Sequence, residues 1–252
     1  MIAARDLRFA YPNGVVGLDG VSLAIEAGER VAVLGPNGAG KTTLMLHLNA
    51  LLRGEGELTV AGTRDAKALR ALVGLVFQDP DDQLFMPTVR EDVAFGPLNQ
   101  RMPDVEARVQ HALQAVRMAD FADRAPHQLS LGQKRRVAIA TVLAMDPKVL
   151  VLDEPSANLD PRTRRELIET LETIDRTLLV VSHDLPLAAR LCERSVLLSA
   201  GRVVADGPTP EILADEALLA AHDLELPEGF DLTRLLRPAS PRSRPAASAS
   251  GP

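Results

Sequence analysis

Residues Arg30–Thr43, which read RVAVLGPNGAGKTT, decide the fold of this chain. The stretch begins with a short apolar run typical of a buried parallel strand, and apolar residues at helical spacing follow it. Between strand and helix lies a complete match to the phosphate-binding pattern G-x-x-x-x-G-K-S/T. The pattern predicts a site for a nucleoside triphosphate and Mg²⁺.

Each part of this loop has a physical role. Its glycines let the backbone turn successive N–H groups inward around a phosphate. The helix that follows contributes the positive end of its dipole. Lys41 is expected to reach the β- and γ-phosphates, and the Thr42 hydroxyl is expected to bind Mg²⁺. The predicted nucleotide-binding residues of the loop are Gly35, Pro36, Asn37, Gly38, Ala39, Gly40, Lys41, Thr42 and Thr43.

The composition is that of an ordinary globular protein, with 252 residues, 46% of them hydrophobic and 25% charged. The net charge of −6 argues against a nucleic-acid partner, which favours a basic face. The single cysteine, Cys192, excludes an intramolecular disulfide and fits a reducing compartment. No apolar run approaches the roughly 18–20 residues of a membrane helix, and the N-terminus lacks the apolar core of a signal peptide. We therefore expect a cytosolic chain that works at a membrane only through another protein.

Strands and helices alternate after the phosphate loop, whereas residues 1–30 show short alternating strands with turn residues between them. This order predicts an α/β fold with a mostly parallel core sheet, helices on both faces and an N-terminal antiparallel β piece. A hairpin is expected to turn at Ala200-Gly201 and a last helix to cover about 210–221. The predicted domain of residues 1–222 comprises a core at about 1–78 and 145–222, with an inserted helical subdomain at about 79–144, followed by a short extension at 223–237 and a disordered tail at 238–252.

Polar residues end three of the predicted core strands, so they can point into one crevice. Asp153 and Glu154 follow an apolar run, where the first can hold Mg²⁺ and the second can polarise water for attack on the γ-phosphate. The alternative is a pair of solvated charges, which the apolar run and the following proline disfavour. Gln78 could orient water or sense the γ-phosphate, and His183 ends a third strand, although either could be an ordinary strand end. The predicted Mg²⁺-binding residues are Thr42, Gln78 and Asp153.

A second helix N-terminus follows the segment LSLGQ, with Ser130 as the candidate capping residue. Cations in its first turn oppose the helix dipole, which indicates a site that receives an anion. These cations are Lys134, Arg135 and Arg136. Because one phosphate cradle is already complete at 35–42, we expect the second N-terminus to serve a nucleotide held by another copy.

Over about residues 2–221 the chain resembles the ATPase subunits of ABC transporters, on the motifs GPNGAGKTT, Gln78, LSLGQ, VLVLDEP, SANLD and SHD. The resemblance implies a head-to-tail dimer with two ATP molecules between the subunits. Each ATP is held by residues 35–43 of one copy and 130–133 of the other. It also implies that Tyr11 stacks on adenine, Asp160 lies at the dimer seam and His183 contacts the γ-phosphate. The residues that act in trans are Ser130, Leu131, Gly132 and Gln133.

Two positions depart from the family pattern. Leu131 stands where the signature usually has glycine. A side chain at this position affects how closely the backbone can approach a ligand there, but it does not affect the roles of Ser130 and Gly132. Asn158 stands at the glycine of the usual SGLD motif. Asparagine tolerates left-handed backbone better than most residues, so we expect no loss.

A narrower resemblance lies in GLVFQDPDDQLFMPTVREDVAFGPLN, which is similar to ATPases of the energy-coupling-factor type, most of all to the cobalt/nickel members. That family pairs the ATPase with a membrane coupling protein and a membrane component that captures the substrate, which implies a peripheral protein on the cytoplasmic face. The segment contains an apolar step with an acidic rim, which predicts a partner groove. Phe85 could instead fill the core of the helical subdomain. The predicted groove residues are Asp81, Asp82, Gln83, Leu84, Phe85 and Met86.

The cargo rests on resemblance alone, because the five histidines are scattered and form no apparent ligand set for cobalt or nickel. Vitamin uptake by the same module stays open, as does the choice between an identical and a paralogous partner ATPase. A nucleotide-gated regulator without hydrolysis is a further alternative, but such a protein is expected to lack Lys41 or Glu154. A relative acting on DNA ends would carry a long coiled coil between Lys41 and Ser130, and fewer than 90 residues separate them.

Overall fold

The computed structural model describes residues 1–231, so the predicted tail at 238–252 and part of the extension at 223–237 lie outside the described residues. The strands are β1 (Ile2–Ala10), β2 (Val16–Ile25), β3 (Arg30–Leu34), β4 (Glu55–Val60), β5 (Val73–Val76), β6 (Val149–Asp153), β7 (Thr177–Val181), β8 (Arg194–Ser199) and β9 (Arg202–Pro208). The α-helices are α1 (Lys41–Leu48), α2 (Ala66–Leu72), α3 (Val89–Asn99), α4 (Val105–Ala115), α5 (Leu131–Leu143), α6 (Pro161–Thr173), α7 (Leu185–Leu191), α8 (Thr209–Ala214) and α9 (Glu216–Ala221).

The strands form two sheets. The larger has the order β5-β6-β7-β3-β8-β9 and is parallel except for β9, which pairs antiparallel with β8. The smaller is antiparallel in the order β2-β1-β4. The predicted combination of a mostly parallel core and an N-terminal antiparallel piece is therefore confirmed.

Alternate residues of the central strands pack into two separate hydrophobic cores. Ala32 and Leu34 of β3 face a core completed by α3 to α8, whereas Val31 and Val33 face a core completed by α1, α2 and the antiparallel sheet. Every residue of β3, β6 and β7 is buried, as expected of parallel strands covered on both faces. This double covering fixes the carboxyl ends of β3 and β6, where the phosphate loop and the two carboxylates begin.

The segment between β5 and β6 is largely helical, and α3, α4 and α5 pack against one another. Its first element is a short 3₁₀ turn, Pro80–Asp82, that leads from β5 toward α3. The predicted helices of this segment are thus present, while the boundaries of an independent subdomain remain a prediction.

The C-terminal part confirms one prediction and corrects another. The hairpin turns at Ala200 and Gly201, both of which have positive φ angles, 47° and 75°. The single helix predicted over 210–221 is wrong, because the chain forms α8 and α9 instead. Asp215 separates them: its carboxylate accepts a hydrogen bond from the Leu218 N–H and so caps a new helix start.

The helices of residues 1–231 are all too short or too polar to cross a membrane. The longest of them, α5 and α6, have 13 residues each. A span of the hydrocarbon core takes about 20 residues.

Cys192 follows α7 and belongs to the core on the helical face of the sheet. Burial raises the pKa of its thiol to about 12. A thiol in this state is a small hydrophobic residue rather than a nucleophile.

Candidate nucleotide-binding site

The loop after β3 has the backbone that a phosphate cradle needs. Gly35, Gly38 and Gly40 all have positive φ angles, 148°, 80° and 101°. A Cβ atom on Gly35 would lie 2.2 Å from the carbonyl oxygen of Leu198, and one on Gly40 would lie 2.2 Å from that of Gly17. Glycine is therefore required at 35 and 40 by space as well as by φ.

The Lys41 side chain folds back over this loop. Its Nζ donates hydrogen bonds to the carbonyl oxygens of Gly35, at 2.6 Å, and Pro36, at 3.0 Å. Burial lowers the pKa of Lys41, against the opposing effect of the Glu154 and Asp153 carboxylates. The ammonium is thus held against the loop by two of its carbonyl groups, close enough to both acidic residues for their charges to raise its pKa.

The Thr42 hydroxyl and the Asp153 carboxylate meet at the mouth of the loop, with Thr42 Oγ1 3.3 Å from Asp153 Oδ2. Asp153 ends β6 and is buried, and this burial raises its pKa above the usual value for aspartate. A divalent cation would favour the ionised form of this carboxylate. Mg²⁺ prefers such oxygen ligands and typically binds through one or two carboxylates plus substrate phosphates. These residues therefore fit Mg²⁺, with the Gln78 side chain in the same cleft.

The Glu154 carboxylate is held by several hydrogen bonds, although the backbone of this residue is strained. It has a φ of 43°, and it is 7% exposed. Its carboxylate accepts hydrogen bonds from the Ser182 hydroxyl at 2.7 Å and from the His183 N–H at 3.0 Å. The His183 Nδ1 also lies 2.8 Å from Glu154 Oε1. The structure thus brings His183 to Glu154 as expected and adds Ser182, which sequence reasoning missed.

One cleft of about 280 Å³ joins the phosphate loop to Gln78, Asp153 and Glu154, whereas His183 is not among its lining residues. Tyr11 lies at its edge, with its hydroxyl 2.9 Å from Thr43 Oγ1 and its ring edge-to-face with Phe9. Exposed Val15 and Val16 line the cleft beside Tyr11, and sequence reasoning did not identify them. An aromatic ring and two valines beside a phosphate loop suit a flat base. The cleft is lined by Tyr11, Val15, Val16, Gly17, Asn37, Gly38, Ala39, Gly40, Lys41, Thr42, Thr43, Gln78, Asp153 and Glu154.

The signature segment caps the helix α5. Ser130 Oγ accepts a hydrogen bond from the Gln133 N–H, and Gln133 Oε1 accepts one from the Ser130 N–H, which forms a capping box. A Cβ on Gly132 would lie 1.9 Å from Thr163 Cγ2, so glycine there permits α5 to pack against α6. Leu131 is 38% exposed at the helix start. The role of this segment toward a second copy remains a prediction.

The three cations at the start of α5 all have acceptors within one copy of the chain, so the anion site expected at this helix start, for a nucleotide of another copy, remains a prediction. Lys134 pairs with Asp81 at 2.6 Å, Arg135 donates to the backbone carbonyl of Glu154, and Arg136 lies 3.8 Å from Glu166. Carboxylates pair with Lys134 and Arg136, whereas the partner of Arg135 is a neutral carbonyl.

The SANLD segment starts α6. Asp160 accepts hydrogen bonds from the N–H groups of Arg162 and Thr163, and its bonds with Thr163 lower its pKa. Asn158 has a φ of 60°, which confirms the expectation that asparagine takes a left-handed backbone at the family's glycine position. The position of Asp160 at a dimer seam stays a prediction.

The segment of the predicted partner groove carries an exposed aromatic pair, while its role toward a partner remains a prediction. Phe85 is 62% exposed and lies edge-to-face with Phe95, with exposed Leu98 on the same helix as Phe95. Phe85 therefore does not fill the subdomain core. Met86 is half-buried beside it, and Asp81 and Asp82 are exposed.

Two groove predictions need correction, because the side chains point inward. Leu84 is buried in the helical core. Gln83 Nε2 donates to the carbonyl of Ala138 and to Thr141 Oγ1, while its Oε1 accepts from the Phe77 N–H. These two residues fix the loop to α5 and do not line its surface.

Asp92 on α3 also anchors this loop, and sequence reasoning missed it. It is buried, and its Oδ1 accepts hydrogen bonds from the N–H groups of Phe85 and Met86, both at 3.0 Å. Its burial raises its pKa. An aspartate within a helix resembles any other charged residue in the sequence, so the sequence does not indicate that Asp92 anchors this loop.

A glycine loop between the buried strand β3 and a helix, with two carboxylates at the end of the buried strand β6, defines a P-loop nucleoside-triphosphatase. The family model described as ABC transporter matches residues 18–157. The chain belongs to this family and is an ATPase subunit of an ABC transporter.

Relatives support the same family over most of the chain. A putative ABC transporter ATP-binding protein of Streptomyces avermitilis is 61% identical, with 89% of this chain and 88% of that protein covered. The energy-coupling factor transporter ATP-binding protein EcfA of Methanothermobacter thermautotrophicus is 47% identical, covering 95% and 81%. The cobalt import ATP-binding protein CbiO of Rhodobacter capsulatus is 47% identical, covering 96% and 92%.

Solved structures agree with the fold. CbiO1 of Clostridium perfringens, described as part of the ABC transporter complex CbiONQ, has a TM-score of 0.77 and 36% identity, covering 90% of this chain and 95% of that one. The ATP-binding cassette MJ0796, in a dimeric post-hydrolysis state bound to ADP and Pi, has a TM-score of 0.73 and 29% identity, covering 83% and 99%.

Proposed function

We propose that this chain is the ATP-hydrolysing motor of an energy-coupling-factor importer that takes up cobalt or nickel ions. The observation that carries the proposal is the 47% identity to a cobalt import ATP-binding protein over 96% of this chain. EcfA relatives support the importer type. Residues 1–231 contain no group of three or more His, Cys, Asp or Glu that could hold a metal ion, and this finding is neutral because a motor subunit need not touch the cargo. Vitamin uptake is the competing cargo.

In the proposed mechanism, the cleft residues have separate roles in phosphoryl transfer to water. Glu154 polarises the attacking water, and its bonds from Ser182 and His183 hold the carboxylate in place. Lys41 leaves its carbonyl partners to meet the β- and γ-phosphates. Thr42, Gln78 and Asp153 would hold Mg²⁺, which neutralises charge on the phosphates when bound. Tyr11 packs against the adenine.

We further propose that two copies, or this chain and a close paralogue, sandwich two ATP molecules. The loop at 35–43 belongs to one subunit and the α5 N-terminus at 130–133 to the other. The dimeric state of the cassette MJ0796 supports this arrangement.

Mixing two inactive variants tests the shared site. Ser130→Arg damages the site completed in trans, and Lys41→Ala damages the site formed in cis. A mixed dimer then has one doubly damaged site and one intact site, so we expect ATPase activity well above that of either variant alone. The same mixture in which both subunits carry Lys41→Ala serves as the control. No recovery in mixed dimers shown to form by tagged copurification would contradict sharing.

The membrane coupling protein is proposed to dock on the exposed Phe85–Phe95 pair and the acidic rim beside it. Asp81 is already paired with Lys134, so Asp82 is the freer of the two acids. Among the described residues no ion pair involves Asp82. Docking there would place the chain on the cytoplasmic face of the membrane, together with a component that captures the substrate.

Transport assays with an Asp82→Arg, Phe85→Asp variant test both the docking surface and the cargo. We expect cobalt or nickel uptake by cells with the complete importer to fall together with copurification of the membrane proteins, while ATP binding by the isolated chain persists. Leu51→Asp is the control, since Leu51 is also an exposed apolar residue. Normal assembly and uptake by the double variant would remove the docking proposal, and uptake of a vitamin instead of either metal would remove the cargo proposal.

A further inference from the structure

Arg135 connects the helix α5 to the strained turn that carries Glu154. Its guanidinium is 5% exposed, and Nη1 donates a 2.6 Å hydrogen bond to the backbone carbonyl of Glu154. That carbonyl also accepts from the Ala157 N–H, at 3.2 Å. The Glu154 N–H in turn donates to the carbonyl of Val181. Both backbone polar groups of Glu154, its N–H and its C=O, therefore have hydrogen-bond partners.

The backbone conformation explains why such fixing matters. A non-glycine residue with a φ of 43° pays a conformational cost and persists where its surroundings hold it. A neutral hydrogen-bond donor to the Glu154 carbonyl would be enough to hold the turn. The chain instead buries the charged guanidinium of Arg135 here. Burial lowers the pKa of Arg135, while Asp79 and Glu154 oppose this effect.

We propose that Arg135 is a positioning residue for hydrolysis, which holds the Glu154 carboxylate at the attacking water by clamping its backbone. The inference rests on the proposed role of Glu154 as the group that polarises water. Arg135 follows Ser130 by five residues on the same helix. In the proposed dimer, the N-terminus of α5 would therefore face the nucleotide of the partner while Arg135 positions Glu154 beside the nucleotide of its own subunit.

The test measures kcat, KM and ATP affinity for Arg135→Met in the full chain. We expect kcat to fall by about ten- to a hundredfold, since a displacement of about 1 Å can cost a hundredfold in rate. KM and ATP affinity should change by less than about twofold, because the Arg135 hydrogen bond goes to the Glu154 backbone and not to the phosphate loop. Arg135→Lys keeps one donor and should recover part of kcat.

Arg30→Met is the matched control. Arg30 is also buried and also donates to backbone carbonyls, those of Glu172 and Ile174, but it lies at the amino end of β3, away from the cleft. Its variant can lose stability, yet kcat per folded molecule should stay unchanged. A general loss of packing would lower kcat in Arg135→Met and in Arg30→Met alike.

A double-variant cycle separates this inference from the proposed function. In a Glu154→Gln background, Arg135→Met should lower hydrolysis little further, since both act on one step. Normal turnover of Glu154→Gln alone would instead overturn the role of Glu154. If Glu154→Gln is inactive but Arg135→Met turns over at the wild-type rate, Arg135 is not a positioning residue. Should Arg135→Met fail to fold, wild-type kcat in both Arg135→Lys and Arg135→Gln overturns the inference.

Discussion

The Glu154→Gln variant is expected to bind ATP normally and to hydrolyse it about 10²–10⁴ times more slowly, the range that a general base contributes. The amide keeps an oxygen that can accept from the His183 N–H, so the turn should stay in place. It cannot take a proton from water. Single-turnover hydrolysis and equilibrium ATP binding measure the two properties separately, and ATP should trap the variant as a dimer.

Glu172→Gln is the control for this change, because Glu172 is a paired acid on α6 that bonds Arg190 far from the phosphate loop. Its turnover should match that of the unmodified chain. Near-normal hydrolysis by the purified Glu154→Gln protein would show that another group activates the water.

Gly40→Ala is expected to weaken ATP binding roughly a hundredfold. Its φ of 101° disfavours any side chain, and the new Cβ would meet the Gly17 carbonyl oxygen at 2.2 Å. The backbone must move, which turns N–H groups away from the phosphates. Losing about 3 kcal/mol of these contacts raises Kd roughly a hundredfold. Isothermal titration with ATP measures the change.

Gly38→Ala separates space from backbone angle within the same loop. Gly38 has a φ of 80°, but nothing lies within 4 Å of an added Cβ. The left-handed conformation costs an L-residue about 1–2 kcal/mol, so ATP affinity should fall by at most about thirtyfold. Equal losses in the two variants would mean that the contact with Gly17 does not matter.

The parts of the fold and site that were predictable from sequence are those encoded locally. The phosphate loop is contiguous, and its glycines adopt the expected positive φ angles. Asn158 likewise takes the backbone that its residue type allows. The buried strands were recognisable because four or five apolar residues in a row need cover on both faces.

What could not be predicted depends on distant neighbours. Gln83 is polar, yet its amide turns inward because Ala138 and Thr141 of α5 offer it partners. The partners of Lys134 and Arg135 could not be predicted either, because Asp81 and the Glu154 carbonyl are far away in sequence. The anchoring role of Asp92 could not be predicted from the sequence, since its partners are backbone N–H groups.

The buried Cys192 makes the chain convenient for spectroscopy. With a pKa of about 12, its thiolate fraction at pH 7 is on the order of 10⁻⁵, and the core shields its sulfur from reagents. It is the single cysteine of the sequence. A cysteine introduced at exposed Phe85 or at Leu131 would therefore react with a maleimide dye, while Cys192 would not. Labelled in this way, the two positions would report membrane docking and dimer closure separately, with the native thiol left in the core.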